Sequence, residues 1–493
     1  MSTFGQLFKS ASKQIRLFPL TLLLVLGASP MQALGQLPDL GQDAASIISP
    51  YQERQIGEDA MAQIRRQLNF IDDPELSQFI GRLGKQLAKT MLDDQRQFQF
   101  FLIDSPAINA FALPGGFIGL HSGLVTNAAT ESELASVLAH EIAHVTQRHW
   151  PRMVAAQKNR SGLTMAAILA SLVLAGSGDV NAGGIAMAAM ASNVDSQLAF
   201  TRAFEREADR IGIRLLSAAK LDSKAMATFF ERLANANQYG STNIPEFMRT
   251  HPVTNDRIAE ARNSAAQLPD YGRASSADFY HFRARTRALF ERQPNQAVAH
   301  FTNTIKRKNA SRSEQRAARY GLALVQLRLG NFAIAGKHIS RLRKQRSREL
   351  RYRLVEADII IAAGSAKRGL SLYRQIYHRD RRNSWVARRY AENLLAHRQP
   401  KRALGVLQLA LNQTPKNPAL NKLMAKAAGE SGDLVRAHRA LAEYYVINGN
   451  PHEAINQLGI AARKAKKDYY ALAAIRARIS ELEAAASRKS NHQ

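Results

Sequence analysis

From Tyr51 to Leu87 the apolar positions recur at helical spacing, as Ile56, Ile64 and Leu68, then Leu76, Phe79, Ile80, Leu83 and Leu87. Phe98–Ile103 is a compact aromatic and β-branched run and predicts a buried strand. Pro114-Gly115-Gly116 separates two short apolar stretches within Phe111–Leu124, so a hairpin or an edge strand is expected there. Thr130-Glu131-Ser132-Glu133 has the form of a capping box, in which the Thr130 hydroxyl and the Glu133 side chain satisfy free N–H groups. The helix it opens carries Leu134, Leu138, Ile142 and Val145 on one buried stripe, and Pro151 marks its end. Leu163–Ala175 is almost purely small and apolar, and a second Ala/Met stretch follows at Gly183–Ala191. The first run is too short to cross a bilayer, which takes ~20 residues. It is expected as a buried helix over the site; the alternative is a Met-rich lid that touches apolar substrate.

After Pro269 the chain becomes rich in Ala, Leu and Arg, and a period appears. Small residues at helix openings fall at Ala297, Ala335, Gly369, Ala403 and Ala437, and Ala454 follows half a period on. The step settles at 34, the length of a tetratricopeptide helix pair. Such an array buries its core between neighbours and leaves a long concave face for a partner. The fold class read from these patterns is mainly α, a small-sheet α+β domain followed by an all-α repeat solenoid.

Charge sharpens the division. Met1–Asp270 holds 24 Lys and Arg against 25 Asp and Glu, whereas Tyr271–Gln493 holds 44 against 15. The basicity therefore serves the repeats, with clusters at Arg341–Arg348, Arg379–Arg389 and Arg463–Lys467. Nucleic acid fits poorly because the array lacks a base-stacking aromatic pattern. Anionic partners fit better, acidic protein faces or lipopolysaccharide phosphates, and part of the charge is solvated exterior. There are no cysteines, so thiol catalysis, disulfides and Cys-held zinc are excluded. Lys9, Lys13 and Arg16, an apolar run Leu17–Ala28, and small residues ending near Ala33 read as a secretory signal. The alternative is an uncleaved anchor. The expected organisation is a signal peptide at 1–33, a leader at 34–50, a catalytic domain at 51–270 and repeats at 275–490.

The chemistry centres on His140-Glu141-Ile142-Ala143-His144. Two imidazoles four apart on a helix share a face, the spacing one tetrahedral zinc requires. Glu141 beside them is placed to take a proton from a zinc-activated water. A third donor without Cys points to Glu205-Arg206-Glu207-Ala208-Asp209, where Glu205 and Asp209 share a face as ligand and as brace for a histidine ring. On spacing alone Glu205 and Glu207 are rivals. Glu207 is otherwise a solvated residue among Arg206 and Arg210, and Glu207→Gln is expected to leave zinc and activity intact. His121 and His149 are read as packing or surface residues.

The block Asn109–Gly116, His121–Leu124, the HExxH, Arg202-x-x-Glu205-x-x-x-Asp209, and His251-Pro252 with Arg257 resembles the HtpX/Oma-type gluzincin metallopeptidases, in that family's order, over roughly Tyr51 to Pro269. The resemblance implies a zincin-like fold, one zinc per subunit, Glu205 as third ligand and Asp209 behind the ligands. It also implies that His251 lies near the metal, as a fourth ligand regulating access or an oxyanion stabiliser. Arg257 would hold that loop or polarise the substrate carbonyl. The stretch after Pro114-Gly115-Gly116 would be the edge strand that pairs with substrate backbone. With an export segment in front and repeats behind, the layout resembles the periplasmic branch that serves outer-membrane protein assembly. It implies an endopeptidase degrading misassembled outer-membrane proteins, docked to the assembly machinery by its basic repeats, with peripheral membrane contact. A repeat-based chaperone or adaptor with a mostly silent protease site is the alternative.

Overall fold

A computed structural model describes residues 48–91, 97–156, 194–238, 245–272 and 274–490. The expected signal peptide and the 163–191 apolar segment lie outside them. Ser49 caps α1 (Pro50–Gln67) with Gln52 completing a reciprocal box, and Asp73 caps α2 (Pro74–Ala88). The sheet holds β1 (Gln99–Ile103), β2 (Ala110–Leu113) and β3 (Phe117–His121) in the order β1-β3-β2. β3 pairs parallel with β1 and antiparallel with β2, so it is the central strand. This corrects the expected substrate strand: among the described residues the free edge beside the turn is β2, before Pro114, because β1 covers the other side of β3. Gly115 and Gly116 sit at φ 74 and 88, a turn that side-chain-bearing residues rarely adopt.

Short α3 (Ser122–Asn127) leads to α4 (Glu131–Thr146), whose apolar stripe is buried as expected. The Thr130 hydroxyl accepts from the Glu133 N–H. The Glu133 carboxylate instead takes the Ala129 N–H at 2.7 Å, with Arg232 beside it. The helix also ends before Pro151. Arg148 adopts φ 52, its guanidinium donates to buried Glu53, and a new helix, α5 (His149–Ala156), begins at once. Long α6 (Val194–Ala218) packs along α4, and α7 (Ala225–Gln238), α8 (Glu246–Thr250) and α9 (Asn255–Ala266) close the domain.

The repeats run from α10 (Ala277–Phe290) through α11 (Pro294–Lys306), α12 (Arg312–Arg328), α13 (Phe332–Gln345), α14 (Leu350–Ala362), α15 (Ala366–Arg379), α16 (Ser384–Ala396), α17 (Pro400–Gln413), α18 (Pro418–Glu430), α19 (Leu434–Ile447), α20 (Pro451–Lys464) and α21 (Tyr469–Ser490). Each small residue of the 34-residue period is the fourth of its helix. At Gly369 the reason is visible: a Cβ would stand 2.3 Å from Ile361 and 2.9 Å from the Ala357 carbonyl. α10 serves two cores, since Phe279 and Phe282 join the N-terminal domain's cluster and Ala284 and Ala288 the repeat cluster.

One inner face of the array is occupied by the chain itself. Arg285 of α10 grips Asp73 with two bonds of 2.9 and 2.7 Å and donates to Tyr320, whose hydroxyl donates to buried Glu75 at 2.7 Å. Arg351 lies 3.4 Å from Glu75, and Arg388 reaches Asp72. Burial alone would raise Asp73; the Arg285 charge outweighs it and holds the carboxyl below its usual range. Some of the basic excess expected to serve external partners is therefore matched internally.

Candidate metal centre

α4 is rigid because its N-terminus is capped and almost every face is buried, and it presents His140 and His144 to α6. Glu205 comes from α6, and His251 from the loop after α8, its N–H bonded to the Phe247 carbonyl. Four atoms converge: His140 Nε2, His144 Nε2, a Glu205 oxygen and His251 Nδ1. His140 Nε2 lies 3.0 Å from His144 Nε2 and 3.3 Å from His251 Nδ1. Glu205 Oε1 lies 3.3 Å from His144 Nε2 and 2.9 Å from His251 Nδ1, and its Oε2 lies 3.4 Å from His140 Nε2. A tetrahedron with donors ~2.0–2.1 Å from its centre has edges of about 3.3 Å. The spacing and the N/O donor set fit a zinc-sized ion.

The field at this point also asks for a cation. Burial works to lower the His140 pKa, but the Glu205 charge and the Asp209 contact override it and raise it to about 10. Burial likewise opposes ionisation of Glu205, and the His251 and His140 charges pull it well below the ordinary carboxylate range. Glu141 is buried beside the cluster, its Oε1 3.4 Å from His251 Nε2 and without a hydrogen bond among the described residues.

Behind the donors lies a supporting layer. Asp209 meets His140 Nδ1 at 2.9 Å. Arg257 clamps Asp209 with bonds of 2.7 and 2.8 Å, donates to the Pro252 carbonyl at 2.7 Å and lies 3.0 Å from Glu205. Its donors are thus turned to the loop and the carboxylates. Glu207 is not solvated: it lies 3.2 Å from His149 Nε2 and accepts from Arg152 at 2.9 Å. His149 Nδ1 in turn meets His144 Nδ1 at 2.9 Å, and its ring stacks on Phe204 at 4.3 Å. The expectation for Glu207 failed because helical spacing places it opposite Glu205 without showing that α5 packs there. His149 offered one signal, its place five residues after His144; taking Pro151 as a helix end hid it. His121 is fully buried, burial pushing its pKa down to about 4, and it meets the edge of Phe111 as a packing residue.

A cleft beside the cluster is lined by Phe111, Leu113, Glu141, Trp150, Phe204 and His251, so the free edge of β2 runs along it. Residues 74–265 match peptidase family M48, and residues 361–427 match a tetratricopeptide repeat family. The chain is thus a metallopeptidase with a repeat domain behind its catalytic domain. It is 33% identical to the β-barrel assembly-enhancing protease of Escherichia coli strain K12, over 90% of this chain and 91% of that protein. It is 34% identical to the putative β-barrel assembly-enhancing protease of Vibrio cholerae serotype O1, over 95% and 98%. The mitochondrial metalloendopeptidase OMA1 of Schizosaccharomyces pombe is 32% identical over 41% of this chain and 56% of its own length. The chain belongs to the β-barrel assembly-enhancing protease family.

Proposed function

We propose that this chain is a zinc-dependent endopeptidase of the periplasm that degrades outer-membrane β-barrel proteins which fail to assemble. His140, His144 and Glu205 hold the ion, and Glu141 moves the protons. One observation carries the reading: donor atoms from three elements face a common point at tetrahedral spacing with a buried carboxylate beside them. Zinc, when bound, polarises the scissile carbonyl and acidifies the attacking water. Glu141 accepts the water's proton and returns it to the leaving amine. Asp209, clamped by Arg257 and 2.9 Å from His140 Nδ1, favours a proton on that nitrogen and so leaves Nε2 as the donor to the ion. The free edge of β2 takes an extended peptide as an added strand. Pairing through backbone gives weak sequence preference, which suits a protease for unfolded chains. The periplasmic location rests on the export-type N-terminus and on the printed names of the relatives.

His251 stands at the fourth corner, where it excludes substrate and water. That favours a second reading as the resting state of the same molecule, a repeat-based chaperone or adaptor whose protease is silent until the loop moves. The test is metal analysis with casein cleavage on the purified chain. One zinc per chain is expected, kept by Glu141→Gln with cleavage abolished and lost in His144→Ala. Full metal content in His144→Ala would overturn the metal assignment. Capture in cells by Glu141→Gln of proteins that are not β-barrels would overturn the substrate.

A further inference from the structure

From α10 to α18 the charges of the repeat array are segregated by helix, a pattern that ends at α19, which carries Glu443. α10, α12, α14, α16 and α18 each carry at least one acid, among them Asp278, Glu314, Glu356 and Glu392. The alternate helices α11, α13, α15 and α17 hold eleven Lys and Arg and not one Asp or Glu. Among the described residues only Arg343 of the eleven has a carboxylate partner, Glu356 at 3.0 Å. The first set turns Arg285, Tyr320, Arg351 and Arg388 inward to the protease domain. The acid-free helices pack on the helices before and after them, and ten of their eleven cations are exposed, Arg343 being half-buried.

A shallow depression on α13 gathers these charges. Gly336, Lys337, Ser340, Arg341 and Lys344 line it. The cations follow at i, i+4 and i+7, one stripe of the helix. Nothing on the described chain neutralises them, and burial together with the Arg341 charge lowers the pKa of both Arg319 and His338. The face is a positive stripe that solvent and salt screen only in part and that attracts anions.

We propose that this acid-free face docks on an anionic lipid surface, with phosphate headgroups seated between Lys337, Arg341 and Lys344 and along α15 and α17. A lipid surface fits better than an acidic protein because the face has no aromatic anchor. Among the described residues its exposed large apolar side chains are Ile334 and Leu409, whereas protein interfaces are built around buried aromatic anchors. Diffuse attraction of many cations to many phosphates needs no such anchor. This inference stands independently of the metal centre.

The test is co-sedimentation of the full chain with vesicles of phosphatidylglycerol and phosphatidylcholine, against phosphatidylcholine alone. Binding to the anionic vesicles only is expected, weakening steeply between 0.05 and 0.5 M salt. The triple variant Lys337→Gln, Arg341→Gln, Lys344→Gln should bind on the order of 10²-fold more weakly, with zinc content and casein cleavage unchanged. A second triple, Lys416→Gln, Lys422→Gln, Lys426→Gln, removes the same charge from another exposed region and should bind nearly as the parent does. Equal loss in both variants, or equal binding to neutral vesicles, overturns the proposal. So does binding to soluble polyglutamate, but not to vesicles, that depends on the first three residues; that result would assign the face to an acidic protein.

Discussion

Replacing His149 by Phe keeps a ring against Phe204 and removes both nitrogens from the chain of bonds that ends on His144. His144 Nε2 faces the metal corner, so its proton sits on Nδ1 and points at His149 Nδ1, 2.9 Å away. His149 Nε2–H then donates to Glu207 at 3.2 Å, and Arg152 holds Glu207 at 2.9 Å. In His149→Phe the largely buried His144 N–H faces a ring carbon. A buried donor without a partner costs about 1–3 kcal/mol, and loss of such support behind a ligand costs roughly 10–100-fold in metal affinity. The two figures agree, since tenfold is about 1.4 kcal/mol. The assay is competition for zinc against a chelator, run beside a thermal melt of the metal-free protein. Zinc should bind about 10–100-fold more weakly in His149→Phe, with the metal-free melt nearly unchanged because without the ion the His144 proton can sit on Nε2 beside Glu205. In Glu207→Gln the amide oxygen still accepts from Nε2–H, so only a severalfold loss is expected. Parental zinc affinity in His149→Phe, or a larger loss in Glu207→Gln than in His149→Phe, would refute the chain of bonds.

His251→Ala should raise cleavage of an unfolded substrate with zinc content unchanged; a loss of about 10²-fold in turnover would make His251 an oxyanion donor. Arg285→Met leaves Asp73 and Glu75 without their shared cation and should destabilise the junction by roughly 3–5 kcal/mol, read by denaturant unfolding. His281 pairs with Tyr352 and the Ala277 carbonyl, and burial lowers its pKa to about 3. The unfolded chain therefore takes up a proton from pH 6.5 downward while the folded one does not. Stability should fall on acidification from pH 6.5 toward 3, with His281 contributing about 1.4 kcal/mol per pH unit. His281→Gln should flatten that slope by this amount in melts taken at pH 6.5 and 4.5, and an unchanged slope would remove His281 as a source.

Local chemistry explains why the helix around His140 and His144, the 34-residue period and the charge contrast between the halves were legible in the chain. A cap, an i,i+4 pair and a recurring small residue act within one or two turns, so their meaning survives without knowledge of neighbours. Non-local contacts decided the rest. The order β1-β3-β2 comes from a parallel pairing with β1, and it moved the free edge from β3 to β2. Glu205 and Glu207 have the same chemistry and lie on opposite sides of α6. Only the packing of α4 on one side and α5 on the other turned Glu205 to the donors and Glu207 to His149. The cations divided in the same way. Arg285, Arg351 and Arg388 look like Lys337 and Arg341 in the sequence, but the array folds back on α2 and its preceding loop, and only the first three find carboxylates there. A side chain's type fixes what it can bind; the tertiary fold decides which partner comes within about 3 Å, where a hydrogen bond or charge pair gains its energy.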